Sequence, residues 1–167
     1  RYWFARAADS GNAAAQYQVA VMASQGAGGP KDEATAALYY KKSLQTWKKE
    51  ADDGDAKAAL WAALVYERKL VPDSSPEKSV PYLLQAAESG NLTAQGLLAF
   101  KYRDGLGVPQ DAAKAVEWFE KAASRKDLGA VMELGIMFRD GKYLPPDREK
   151  AFHWFEKGAE WKDPYSM

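Results

Sequence analysis

Polar turns recur along this chain at fixed separations, and that recurrence constrains its fold more than any single motif. The turns are SGN at 10–12, DGD at 53–55, SGN at 89–91, RKD at 125–127 and WKD at 161–163. Their last residues, Asn12, Asp55, Asn91, Asp127 and Asp163, stand 43, 36, 36 and 36 residues apart. A second ladder, Asp32, Ser75, Asp111 and Asp147, repeats at 43, 36 and 36. Periods of this length are the mark of stacked supersecondary units. Asn, Asp and Ser are the favoured helix N-caps, because their side chains accept a free amide of the first turn. Each unit therefore holds two helix starts, helix A after the first cap and helix B after the second. Pro76, following Ser75, suits the first helical position. Gly26, Gly105 and Gly141 stop helix A, since glycine readily takes the left-handed conformation that ends a helix.

Aligned on the caps, the other columns fall into place. Helix A carries Ala15, Ala58, Ala94 and Ala130, then Val19, Ala62, Leu98 and Leu134, then Ala20, Ala63, Ala99 and Gly135. Helix B carries Ala36, Ser79, Ala115 and Ala151, then the pairs Tyr39-Tyr40, Tyr82-Leu83, Trp118-Phe119 and Trp154-Phe155. Small residues let helices approach closely, and the aromatics fill the wedge between units. A lone helix pair cannot bury its apolar face, so stacking supplies the core. The predicted fold is all-α: a solenoid of antiparallel helix pairs, with about four repeats of 36 residues and a first one of 43. Trp3-Phe4 match the aromatic pair of a preceding helix B, and Gly158-Ala159 through Met167 are predicted to begin another helix A. Residues 1–167 thus read as a single array cut from a longer one.

These columns resemble the Sel-one-like repeat (SLR), a relative of the tetratricopeptide repeat, with the pattern A-x3-L-G-x2-Y-x2-G-x-G-V-x2-D-x2-K-A-x2-W. The third unit carries Ala94, Leu98, Ala99, Tyr102, Gly105, Gly107, Val108, Asp111, Lys114, Ala115 and Trp118. The fourth keeps Ala130, Leu134, Gly135, Gly141, Asp147, Lys150, Ala151 and Trp154, with Phe138 for the tyrosine and Tyr143-Leu144 for Gly-Val. The resemblance implies a right-handed superhelix and an adaptor or scaffold role in protein complexes. Such proteins are often bacterial, in signalling, envelope or host-interaction settings.

Two units depart from the pattern. The first has Ala23 where the tyrosine belongs, and seven extra residues around Ser43 to Lys49. Seven residues make about two helical turns, so helix B is expected to lengthen and project Trp47 and its lysines. The second has KLVPDSSPEK in place of the glycine loop and Pro81 inside helix B. An interior proline costs about 3 kcal/mol or kinks the helix, so the array is predicted to be least regular there.

Chemistry is hard to place on this chain. Its 23 basic and 23 acidic residues cancel, which disfavours a nucleic-acid partner. Cysteine is absent, excluding disulfides, thiolate zinc sites and cysteine nucleophiles. No apolar run approaches the ~20 residues of a membrane helix, so no membrane insertion is expected. The run DGLGVPQD follows no strand and lacks Gly-Lys-Ser/Thr, so it reads as a helix stop and not as a phosphate loop. His153, the sole histidine, shares its column with Leu38, Pro81 and Glu117; the scaffold does not demand it, and it reads as a partly exposed helical residue. No cofactor, metal or catalytic residue is expected, and no compartment follows from the residues.

What remains is surface. At 100° per residue, helix A has a second face far from its alanine stripe. Counted from positions 11, 54, 90 and 126, the sixth residues are Tyr17, Leu60, Gly96 and Met132, and the tenth are Val21, Leu64, Phe100 and Ile136. Beside them stand Ser24-Gln25, Glu67-Arg68, Arg103-Asp104 and Arg139-Asp140. The resemblance assigns this face to the inner, concave surface. Tyr17, Val21, Leu60, Leu64, Glu67, Arg68, Phe100, Arg103, Met132, Ile136 and Arg139 are therefore candidate partner-binding residues, with apolar anchors for affinity and charges for register. The competing reading is that they pack between successive A helices. Trp47 is a second candidate, against the alternative that it packs on Trp61. The reading is a protein-interaction module for a peptide, a folded partner or a second copy. The alternatives are a structural spacer and a cell-envelope enzyme or cell-wall-ligand binder; cysteine-rich relatives raise the last, and the missing cysteine and catalytic motifs count against it.

Overall fold

The computed structural model describes residues 2–162, and among them every regular element is a helix. The order is α1 (Tyr2–Asp9), α2 (Ala13–Gln25), α3 (Glu33–Asp52), α4 (Ala56–Glu67), α5 (Pro76–Glu88), α6 (Leu92–Asp104), α7 (Ala112–Ala123), α8 (Leu128–Asp140) and α9 (Arg148–Lys162). Even-numbered helices are helix A of a unit and odd-numbered ones helix B. The chain forms two compact units, Arg1–Gln85 and Ala86–Met167.

Side-chain capping is found at every described position of the two ladders except Ser75. Asn12 accepts from the Ala15 amide at 2.8 Å, Asp55 from Ala58 at 3.1 Å, Asn91 from Ala94 at 3.0 Å and Asp127 from Ala130 at 2.9 Å. In the second ladder Asp32 accepts from Thr35 at 2.9 Å, and Asp111 and Asp147 accept from Lys114 and Lys150, each at 3.0 Å. At Ser75 the carbonyl accepts from Lys78 at 3.1 Å. Gly26, Gly105 and Gly141 close helix A with φ of 72°, 72° and 67°. α4 lacks that glycine, and Lys69 takes the left-handed turn instead, at φ 53°.

In the first unit α2 packs on α1 and α3, and α3 on α4. In the second, α7 packs on α6 and α8, and α8 on α9. The small-residue columns sit at these contacts: Ala20, Ala62, Ala63, Ala94, Ala99 and Ala115 are all fully buried. The second member of the aromatic pair goes inward, with Tyr40, Leu83 and Phe119 buried. Gln16 and Gln95, equivalent by repeat position, are buried and donate to Ala8 O at 3.2 Å and Ala87 O at 3.1 Å. Each adds a second donor to a carbonyl at the end of the preceding helix, which also accepts from the glycine of the turn, Gly11 or Gly90, at 3.0 Å.

Three expectations change. α3 absorbs the seven extra residues as helix, giving 20 residues against 12 in α7, yet the extra turns do not project. Their buried stripe, Tyr40, Ser43, Leu44, Trp47 and Ala51, keeps a 3-to-4-residue spacing; the lengthened helix turns its inner face to the same core. α5 runs unbroken through Pro81, whose ring is exposed. Finally, α9 continues to Lys162, so Gly158–Lys162 finish a helix B and do not begin a helix A. The cap at Asp163 and the helix expected after it lie outside the described residues.

Candidate functional site

In the first unit the second face of helix A is built around Tyr17 of α2. Its ring meets Tyr40 at 5.4 Å, Trp47 at 5.6 Å and Trp61 at 5.7 Å. Trp47 and Trp61 stack at 5.4 Å, 16° from parallel. Trp47 is 5% exposed: it packs on Trp61 and offers a partner no surface of its own. Trp61 keeps 39% of its surface exposed. Arg68, past the end of α4, donates from Nη1 to the Tyr17 hydroxyl at 2.9 Å. Val21, Leu60, Leu64 and Glu67 lie half-buried along the same face.

In the second unit Phe100 of α6 meets Phe119 edge-on at 5.1 Å. The Arg103 guanidinium lies 4.7 Å from the Phe100 ring centre and 5.4 Å from that of Tyr143. Its Nε and Nη2 grip both oxygens of Asp104 at 2.9 and 2.8 Å, and its Nη1 donates to Glu133 Oε2 at 2.7 Å. The Tyr143 hydroxyl closes the ring of contacts on Asp104 Oδ1 at 3.0 Å. Paired hydrogen bonds from arginine hold the Asp104 carboxyl below the usual aspartate range, with the Tyr143 hydroxyl adding to the effect. The same bond to Asp104 holds the Arg103 guanidinium above its ordinary value. Planar, bidentate pairing of this kind fixes a guanidinium in direction as well as charge. Arg139 of α8 pairs with Asp140 at 2.6 Å, an open copy of the Arg103–Asp104 pair. Met132, 41% exposed, and half-buried Ile136 complete the face.

The predicted strip is thus part packing and part surface. Tyr17, Phe100 and Trp47 are held by other rings, whereas Met132, Arg68 and Arg139 are exposed. Reading the columns alone missed Glu133 and Tyr143. Tyr143 carried a signal, because it replaces a glycine of the repeat pattern. Glu133 shares its column with Gln18, Trp61 and Leu97, a mixed set whose role shows only when Arg103 reaches across to the next helix A. His153 is exposed and rests at 5.4 Å from the Trp154 ring. Among the described residues no three His, Asp or Glu side chains gather to hold a metal ion. No described helix is long and apolar enough to cross a membrane.

Comparison with known proteins agrees with this architecture. The Sel1 repeat model matches residues 1–12, 13–45, 56–91, 93–127 and 129–160. The sequence matched no curated protein. Among solved structures, a protective antigen of uropathogenic Escherichia coli displaying an SLR fold is similar at 27% identity and TM-score 0.71, over 99% of this chain and 34% of that one. A Sel1 repeat protein from Oxalobacter formigenes is similar at 23% identity and TM-score 0.70, over 97% of this chain and 64% of that one. Helicobacter pylori cysteine rich protein B is similar at 22% identity and TM-score 0.55, over 81% of this chain and 97% of that one. The chain therefore spans about a third of the first of these proteins and under two thirds of the second.

Proposed function

The chain belongs to the Sel1 repeat family, and from that premise we propose that it is an adaptor which binds a peptide or a folded protein on the second face of its A helices. Sel1 repeats generally mediate protein–protein contacts and form non-catalytic scaffolds. One observation carries the finer reading: large apolar side chains stay open on this face beside charges that are already fixed in place. Met132 is 41% exposed on α8, about two turns before the Arg139–Asp140 pair on the same helix, and Trp61 is 39% exposed on α4, beside Tyr17 of the Tyr17–Arg68 contact. A side chain that is anchored before binding loses little conformational freedom when a partner arrives. Exposed aromatics, methionine and arginine are also the residue types enriched in protein interfaces.

The setting we favour is assembly of a bacterial signalling, envelope or host-interaction complex. It is supported by the bacterial origin of the similar structures and by the description of one of them as a protective antigen. Catalysis has no part in this reading: Arg68, Arg103, Asp104 and Arg139 are engaged with neighbouring side chains.

The test is a pull-down from source-cell extract with the wild-type chain beside Met132→Glu and Trp61→Glu, each checked for helicity by circular dichroism. Loss of the same partner band from folded variants is the expected result. Full retention by both variants would leave the chain as a spacer whose A-helix face binds nothing.

A further inference from the structure

The two places where the sequence leaves the repeat pattern meet in space, inside the first unit. The seven extra residues lengthen α3, and the loop after α4 runs Arg68 to Ser75 without the usual glycine turn. Between them lies a cavity of about 320 Å³, walled by Lys41, Leu44, Gln45 and Lys48 of α3, Tyr66 of α4, and Val71, Pro72 and Asp73 of the loop. Leu44 and Lys48 belong to the inserted turns, so a regular repeat has nothing equivalent. Small-molecule pockets run from ~300 to ~1,000 Å³. This one stands at the lower limit, with room for a side chain or two.

Its chemistry has two halves. Leu44 and Val71 are buried, and with Pro72 they make an apolar wall. Opposite stand two ammonium groups. Lys48 stands beside Tyr66 and Tyr82, whose phenols, Tyr66 first, hold its ammonium above the ordinary lysine range. Lys41 is exposed, and neither lysine is ion-paired among the described residues. The one carboxylate on the rim, Asp73, is already engaged by Lys78. The phenol pair is itself firm, with Tyr66 and Tyr82 stacked at 6.2 Å.

We propose that this cavity is a peptide-binding site that takes an acidic side chain and its aliphatic neighbour from a partner protein. The aliphatic group sits against Leu44, Val71 and Pro72, and the carboxylate accepts from Lys48 and Lys41. Charge complementarity selects the occupant: two lysines line the cavity against one carboxylate, Asp73, already paired to Lys78, beside an apolar wall. The site is separate from the A-helix face proposed above and stands or falls without it.

The test is an NMR titration of the whole isotope-labelled chain with millimolar N-acetyl-Leu-Glu-amide. Parallel arms use N-acetyl-Leu-Gln-amide and 4-methylpentanoate. Saturable shifts at Leu44, Tyr66 and Val71 are expected with the Glu peptide. They should weaken about tenfold with the Gln peptide, the scale of losing a charge-assisted hydrogen bond. Lys48→Gln and Lys41→Gln should each weaken binding, while Met132→Glu leaves it intact. If Lys48→Gln disturbs the fold, the exposed Lys41→Gln carries the comparison. Equal binding of the Gln peptide, no loss in the lysine variants, or no shift at these residues overturns the site. A response to 4-methylpentanoate as strong as to the peptide overturns the peptide as its occupant.

Discussion

At Gly135 the absence of a side chain sets how closely α8 and α9 approach. A Cβ there would lie 2.5 Å from Cε1 of Phe155, well inside contact distance, so the ring would have to move. Overpacking of this sort costs about 1–3 kcal/mol, while alanine regains about 1 kcal/mol of helix propensity over glycine. Gly135→Ala should therefore lose roughly 1 kcal/mol in urea unfolding; a gain would mean the ring swings away freely. Asp104 makes a prediction about pH. Its carboxyl is depressed by Arg103 first and by Tyr143 next among the hydrogen-bonding groups. A depressed carboxyl contributes stability above its unfolded value, about 3.9 for aspartate, and loses it as pH falls through the folded value. Unfolding free energy of the wild type should thus drop more steeply below pH ~4 than that of Asp104→Asn. Parallel curves would remove the Arg103 clamp from the stability of the second unit. Asp111 and Asp147, lowered by the amides they cap, act in the same direction. The clamp was legible only in part. Arg103 and Asp104 stand adjacent in the sequence, but Glu133 and Tyr143 lie 30 and 39 residues away from their partners.

Each helix is specified locally at its ends and collectively along its face. The caps are local: Asp127→Ala should cost about 1 kcal/mol, measurable as a lower urea midpoint. At the other end, Lys69 adopts the left-handed turn at φ 53° where the other A helices use glycine. That conformation costs a non-glycine residue about 1–2 kcal/mol, and glycine gives back about 0.4–1 kcal/mol through the freedom of the unfolded chain. Lys69→Gly should therefore stabilise by about 0.5 kcal/mol, read in the same urea titration. α3 shows where local reading stops. Its extra turns were legible as helix from a seven-residue insertion, but whether Trp47 faced solvent or core depended on what α2 and α4 brought opposite it. Tyr17 and Trp61 are opposite, so Trp47→Ala should cost about 3–5 kcal/mol. A change under about 1 kcal/mol would mark it as a surface residue after all. Pro81 is a second case. The residue alone suggested a cost or a kink; α5 continues through it, and Leu83, Ala86 and Ala87 beyond it are fully buried.

Across the whole molecule, charge balance and repetition set what the chain can be. With 23 basic and 23 acidic residues, and Arg103 and Arg139 each paired to the aspartate that follows it, little counterion release is expected to drive phosphate-backbone binding. A gel-shift assay with duplex DNA at low salt should show no complex, and a salt-sensitive shift would reveal a basic patch that the totals conceal. The sequence by itself determined the helix pairs from α2 to α8, their period, most of their caps and the small-residue columns that face inward. These depend on contacts within one turn of helix or on a spacing that recurs, and both are written along the chain. The tertiary structure decided which surface residues are free. Burial of Trp47, the hold of Arg68 on Tyr17, the Arg103 cluster and the lysine-lined cavity beside Tyr66 all join side chains from different helices. Each lies at or beside a break in the repeat, in the insertion of α3, the altered loop after α4 or the Tyr143 substitution. There periodicity stops supplying the answer, and only packing geometry says which groups meet.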